Sequence, residues 1–332
     1  MRLLVLGGTH HVGRAVVETA LGSGWGVSTL TRGVSGPSAR GADERHADRL
    51  DPESVARALG DDEWDLVVDT WAGAPRAVRT AAHLLAPRAA HYCYVSSRSV
   101  YAWPIPSGAD ESAPVVDGDP AATADDDYAA AKRGGELAVL EAFPDRALLA
   151  RAGLILGPYE QVGRLPFWLG RLARGGQVPA PGPRERPLQY IDARDLAAWL
   201  LDAGRRGATG TFNTVSPPGH TSIGALLDEA VRVTGGTAAL VWLTPEQVAH
   251  AGVQGWTELP IWVPPTGELA ALHDGDSRAA HDAGLRCRPM AETVADTWAW
   301  LQREGLPKHP RPDTGFGPDA ERRLLAEAGP ER

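Results

Sequence analysis

Between residues 2 and 151 the sequence repeatedly sets short apolar runs against longer amphipathic stretches, and no other feature constrains the fold as much. Arg2–Leu6, Gly26–Thr31, Asp65–Asp69, His91–Ser96 and Ala147–Arg151 read as strands. Val12–Leu21, Pro52–Leu59, Arg76–Leu85 and Tyr128–Phe143 read as the helices between them, Pro52 being a proline suited to a first turn. Strands separated by helices of this length pair in parallel, and a parallel sheet needs helices on both faces. The pattern predicts an α/β fold built on a doubly wound parallel sheet.

After Gly157-Pro158 the rhythm changes. A helix is expected at Leu165–Ala173, a Pro/Gly-rich loop at Gly175–Pro187, a short strand at Gln189–Ile191, a helix at Arg194–Ala203 and a last strand at Thr211–Thr214. Further helices are expected near Ile223–Thr234, Pro245–Ala251, Glu268–Leu272 and Glu292–Arg303, in a region holding Trp242, Trp256, Trp262, Trp298 and Trp300. This region reads as a smaller, mostly irregular and helical C-terminal lobe. The boundaries that follow are residues 1–156 with a return segment 187–215 for the sheet domain, 157–186 and 216–306 for the lobe, and a tail 307–332 with a short helix after Pro318.

The chain has 332 residues, 43% hydrophobic and 23% charged, which is enough for a full core and excludes global disorder. A formal net charge of −9 without a basic block argues against partners that bind through phosphate neutralisation, so no nucleic acid is expected. Cys93 and Cys287 are the only cysteines, which predicts neither a disulfide framework nor a cysteine zinc site. No apolar run reaches membrane-spanning length, and Gly7 interrupts the N-terminus before a signal core forms. A protein of the reducing cytoplasm, without membrane contact, is the expectation.

Gly7-Gly8-Thr9-His10-His11-Val12-Gly13 lies between the first strand and the first helix. Free N–H groups and partial positive charge at such a helix start suit a pyrophosphate. Gly7 permits the tight turn and Gly13 the close packing of helix on sheet, so the segment reads as a dinucleotide-binding turn with His10 in place of its middle glycine. His10-His11 has no third ligand nearby in sequence, and no metal is expected. The second strand ends in Thr31-Arg32-Gly33, with a base where an NAD site places an acid; Arg32 therefore points to NADP, with NAD as the alternative.

Tyr128 and Lys132 stand at i, i+4, on one face of a helix. A neighbouring ammonium favours the phenolate and would lower the tyrosine's pKa, tuning it for proton transfer. Ser97 closes the strand His91–Ser96 at the end where a doubly wound sheet faces its ligand, placed to hydrogen-bond a substrate oxygen on which charge develops.

With these segments, Val95–Tyr101, Arg151–Pro158 and Tyr190–Ala197 in order along the chain, the sequence resembles the short-chain dehydrogenases/reductases, in the extended or atypical branch of NAD(P)-dependent epimerases and dehydratases. The resemblance runs to about residue 215 and implies a Rossmann-type domain with a catalytic set of Ser97, Tyr128 and Lys132, the lysine also holding the nicotinamide ribose. It implies cofactor contacts at Gly7, Gly8, Thr9, His10, Val12, Gly13 and Arg32, with Asp48 against the adenine, Thr70 and Ala72 beside the cofactor, and Gly153 and Leu154 near the nicotinamide. Sugar-nucleotide dehydratases of this family carry Asp-Glu where this chain has Arg98-Ser99, which disfavours dehydration. Its epimerases grip a diphosphate with an arginine where this chain has Leu188, with Arg184 or Arg186 as substitutes. Arg98, Trp103, Phe167 and Arg186 are the candidate substrate contacts.

The expectation is an NADP-dependent oxidoreductase that moves a hydride to or from the carbonyl or secondary alcohol of a small metabolite. The alternatives are a nucleotide-sugar epimerase with retained NAD(P) and, in a different class, a non-catalytic dinucleotide-binding regulatory or RNA-associated protein. A homodimer is the assembly the resemblance implies.

Overall fold

The computed structural model describes residues 1–34, 36–308 and 310–329. In the first half, β1 (Arg2–Leu6), α1 (His11–Gly22), β2 (Gly26–Thr31), β3 (Asp43–His46), α2 (Pro52–Leu59), β4 (Trp64–Asp69), α3 (Pro75–Leu85), β5 (Ala89–Ser97), α4 (Tyr128–Ala142) and β6 (Ala147–Ala152) follow one another. Then come β7 (Leu154–Leu156), α5 (Arg164–Ala173), β8 (Gly176–Pro181), β9 (Pro187–Leu188), β10 (Tyr190–Asp192), α6 (Ala193–Arg205) and β11 (Gly210–Thr214). Seven strands form one sheet in the order β3-β2-β1-β4-β5-β6-β11, every pair parallel. This is the Rossmann-type arrangement. The strand order reverses between β1 and β4, which opens a crevice beyond their C-terminal ends.

The apolar strand runs are buried from both sides. Leu3, Val5, Leu66 and Val68 face α1 and α6, packing on Val16, Val17, Leu196 and Leu200. Leu4, Leu6, Val67 and Leu149 face α2, α3 and α4, packing on Val55, Val78, Val139 and Phe143. β3, with the sequence Asp-Glu-Arg-His, carries no hydrophobic pattern and was not expected; it is a polar edge strand paired only to β2, and its charges discourage further pairing.

The lobe continues with β12 (Thr221–Ser222), α7 (Ile223–Thr234), β13 (Ala238–Leu243), α8 (Pro245–His250), β14 (Gly255–Trp256), β15 (Leu259–Pro260), α9 (Arg278–Asp282), α10 (Met290–Glu304) and α11 (Pro318–Glu327). Its separate core joins Trp168, Leu226, Trp262, Leu301, Phe316 and Leu324, so the tail helix is part of the lobe. Two expectations are corrected. Residues 176–181 form a strand paired with β13 rather than a loop, its prolines tolerated because it pairs on one side only. Residues 268–272 form turns rather than a helix.

α4, which carries Tyr128 and Lys132, is capped by the Asp127 side chain accepting from Ala130 N. Gly135 lets it settle on β5, since a Cβ there would collide with the Tyr94 hydroxyl. One turn after Lys132, fully buried Glu136 accepts hydrogen bonds from Ser96 Oγ (2.7 Å), from Arg151 Nε and Nη2 (2.9 and 3.0 Å) and from Arg133 Nη1 (2.9 Å). That carboxylate joins the helix to β5 and β6. Removing its charge leaves the buried Arg151 uncompensated, so Glu136→Gln is expected to lower stability by about 3 kcal/mol. Urea unfolding checks this; a loss below about 1 kcal/mol would remove Glu136 from the joint.

Candidate active site

The glycine turn folds as its sequence demands. Gly7 and Gly8 both have φ of 120°, and a Cβ on Gly13 would lie 2.7 Å from the Gly8 nitrogen, so the turn and the first coil of α1 touch backbone to backbone. His10 is the N-cap residue but makes no side-chain cap bond, and the first turn holds no acid. The opening amides of α1 therefore keep their N–H groups for a ligand. Val12 and Gly8 are buried inside the turn. Beside it lies a cavity of about 170 Å³ lined by Gly7, Thr9, Thr31, Arg32, Gly33, Arg49, Thr70, Trp71 and Ala72.

Arg32 is exposed on the rim and has no side-chain partner among the described residues. Asp48 is exposed and turns back to accept from Leu50 N at 2.9 Å; the lining residue is its neighbour, Arg49. Arg49 makes a bidentate pair with Asp69 (3.2 and 2.9 Å), which also accepts from Tyr92 Oη (2.7 Å) and Trp71 N (2.9 Å). The guanidinium lies 5.1 Å over the Trp71 ring. Arg49 and Trp71 were missed in the sequence because the ion pair that defines this floor spans 20 residues with no local pattern.

Ser97 ends β5 and its hydroxyl accepts from Ser99 N at 3.1 Å. Tyr128, the first residue of α4, is 46% exposed, with its hydroxyl toward Ser97. Burial raises the phenol's pKa above its ordinary value, against the pull of the Ser97 hydroxyl and of the Arg164 and Arg311 charges. The Lys132 ammonium is buried between two carbonyls, Trp71 O at 2.6 Å and Val95 O at 2.7 Å, and 4.8 Å over the Tyr94 ring. Burial pulls the lysine down to about 8, against the nearby Asp69 and Glu136. An ammonium has three N–H groups, and these two bonds leave one over.

The remaining residues fall elsewhere. Gly153 and Leu154 stand at the break between β6 and β7, Gly153 against Val215 and Leu154 in the lobe core. Arg98, 2% exposed, donates to Leu272 O at 2.8 Å and lies against Gly275, so its guanidinium faces a buried loop rather than open space. Trp103 donates to Arg98 O at 3.3 Å. Phe167 packs edge-on against Trp168 and Phe316. Arg186 braces the loop 263–270 through Val263 O, Pro264 O and Ala270 O. Among the described residues no group of three potential metal ligands occurs.

Glu160 was not singled out in the sequence, yet it is fully buried and caps α5 by accepting from Arg164 N (2.9 Å) and Leu165 N (3.2 Å). Burial pushes its carboxyl up to about 7, against the Arg164 charge and the two amide bonds. A folded pKa above the unfolded one gives stability that is complete at low pH and is lost as pH rises through the folded value. From about pH 5 to about pH 8, wild type should therefore lose up to about 3 kcal/mol relative to Glu160→Gln, whose amide does not titrate. Denaturant unfolding across that range measures the difference; a flat line would show that Glu160 ionises normally.

The sequence profile described as the NAD dependent epimerase/dehydratase family matches residues 3–214. No relative was found among curated proteins. Among solved structures, the UDP-glucose 4-epimerase of Thermotoga maritima with UDP-glucose superposes at a TM-score of 0.67 and 17% identity, over 91% of this chain and 99% of that one. The Bordetella bronchiseptica enzyme WbmH in complex with NAD+ gives 0.66 and 18%, over 92% and 99%. The UDP-glucose 4-epimerase of Thermus thermophilus in complex with NAD gives 0.66 and 17%, over 92% and 100%. At these identities the likeness is one of fold. No described helix is long and apolar enough to cross a membrane.

Proposed function

Because the chain belongs to the NAD dependent epimerase/dehydratase family, we propose that it is an NADP-dependent oxidoreductase acting on a carbonyl or secondary alcohol of a small molecule. The observation that carries this reading is the grouping of Ser97, the Tyr128 phenol and the Lys132 ammonium beside the dinucleotide cleft, at the C-terminal edge of the sheet.

The cleft suits a nicotinamide dinucleotide on its own evidence. The start of α1 is uncapped, the two glycines before it leave room for a ligand's backbone approach, and Lys132 has an N–H to spare. The amides after Gly8 would take the pyrophosphate, Arg32 the 2′-phosphate, and Lys132 a ribose hydroxyl. When bound, the dinucleotide supplies or accepts the hydride. Ser97 then orients the substrate oxygen, and Tyr128 gives that oxygen a proton in reduction or removes one in oxidation. Lys132, anchored to two strand ends, fixes the floor of the site.

An oxidoreductase is favoured over a nucleotide-sugar epimerase because neither substitute for the missing diphosphate arginine is free. Leu188 is buried, Arg184 pairs with Asp228 at 2.6 Å, and Arg186 is engaged with three carbonyls. The −9 charge and the full Ser-Tyr-Lys set speak against an RNA-associated, non-catalytic role.

Two outcomes test the proposal. Tyr128→Phe should retain NADPH binding and lose about 10²–10⁴-fold in turnover on a panel of carbonyl compounds, the usual worth of a positioned proton donor; unchanged turnover would remove Tyr128 from the mechanism. In fluorescence titrations wild type should prefer NADPH to NADH, and Arg32→Ala should weaken NADPH about tenfold or more while leaving NADH nearly unaffected. Tighter NADH binding by wild type would overturn the assignment of Arg32.

A further inference from the structure

Most arginines near the sheet's C-terminal edge are matched to acids or carbonyls, as Arg49, Arg151, Arg186 and Arg194 are. Arg164 and Arg311 are not. Neither side chain makes an ion pair or a hydrogen bond with any described residue. Yet the structure brings them together: Arg311 N donates to Val162 O at 3.2 Å, and Pro310 lies against Gly163, the residue before Arg164. Both charges act on the Tyr128 phenol and repel one another.

Arg164 is held in place without using its donors. Its guanidinium carbon sits 4.8 Å over the indole of Trp256, a cation–π contact that needs none of its N–H donors. Trp256 is fixed in turn, with φ of 67° and its N–H donating to Trp262 O at 2.7 Å. The acid nearest Arg164 in sequence, Glu160, is turned back onto the amides of α5 and forms no ion pair with it. Two guanidiniums without a described partner, carried on adjoining segments, one stacked and one exposed, repel unless a negative group enters between them.

We propose that Arg164 and Arg311 form an anion subsite beside the Tyr128 phenol, and that the substrate therefore carries a carboxylate or phosphate close to its reacting carbon. The inference rests on the oxidoreductase reading for the direction from which the anion arrives. The cofactor's pyrophosphate already has a place at the uncapped start of α1; because the Arg164 charge acts on His11 of that turn as well as on Tyr128, the affinity for NADPH is read alongside the probes to tell the two anions apart. The subsite also differs from a distant diphosphate grip, because it adjoins the proton donor itself.

The test needs no turnover. NADPH-loaded full-length protein is titrated with benzoate, with phenyl phosphate and with neutral methyl benzoate, reading the fluorescence of the bound NADPH. At least one charged probe should bind about tenfold or more tightly than the ester, the worth of one charge-assisted contact, with the better of the two identifying the anion. Arg311→Gln, at an exposed position, and Arg164→Gln should each remove about tenfold of that affinity and leave the Kd of NADPH within about twofold. Equal binding of charged and neutral probes overturns the subsite. So does a loss of NADPH affinity as large as the loss of probe affinity, which would assign the arginines to the dinucleotide. Tyr128→Phe separates the two claims: if it keeps turnover while the charged probes still bind selectively, the oxidoreductase reading falls and the anion subsite stands.

Discussion

The arrangement of the site depends on one buried ammonium. Lys132 donates to the carbonyls of Trp71, just past β4, and Val95, near the end of β5, so a side chain from α4 ties two neighbouring strand ends together. Desolvating a cation at this depth is costly, and the cost shows in its pKa, down to about 8. What offsets it is the company of Asp69 and Glu136, two carboxylates on either side, together with the face of the Tyr94 ring. Without the ammonium, the end of β4 and its Trp71 would lose their link to the helix that presents Tyr128.

Asp69 and Glu136 are themselves hubs. Asp69 gathers Arg49, Tyr92 and the Trp71 amide; Glu136 gathers Ser96, Arg151 and Arg133. A third hub, buried Asp192, gathers Arg194 and Thr293 where β10 meets α6. All three carboxylates stand at or near the C-terminal ends of strands or on the helix packed there. A chain whose positive charge is nearly all arginine can build such joints, because a planar fork satisfies both carboxylate oxygens at once. Among the described residues, Arg32, Arg164 and Arg311 have no such partner; neither do the exposed Arg40, Arg76, Arg174 and Arg303, so what marks the first three is the proposed place beside the cleft rather than the missing partner alone.

That distinction explains how much was legible in the sequence. The strands of the central sheet were readable because parallel strands buried on both faces become continuous apolar runs. Tyr128, Lys132 and the glycine turn were readable because their geometry is local, fixed by four or six residues of spacing. β3 was invisible because an edge strand needs no apolar pattern, and β8 because prolines mask a strand that pairs on one side. Arg98 and Arg186 looked like substrate contacts and Arg164 did not, since sequence position says nothing about which guanidinium finds a carbonyl. The partners of Lys132 were hidden for a related reason. Helical spacing places Lys132 on the correct face, but the carbonyls that capture its ammonium come from Trp71 and Val95, elsewhere in the chain.

On the proposed reading, the lobe as well as the helix neighbour bears on the proton chemistry. Burial favours the neutral phenol of Tyr128, and the two guanidiniums favour its ionised form. An anion seated between Arg164 and Arg311 cancels their pull and leaves burial to prevail, so the phenol holds its proton most firmly when the site is filled. A general acid needs its proton at that moment, with substrate in place and water displaced. In the empty cleft the same charges ease ionisation. On the proposed reading, substrate charge and proton delivery are coupled through two side chains, Arg164 and Arg311.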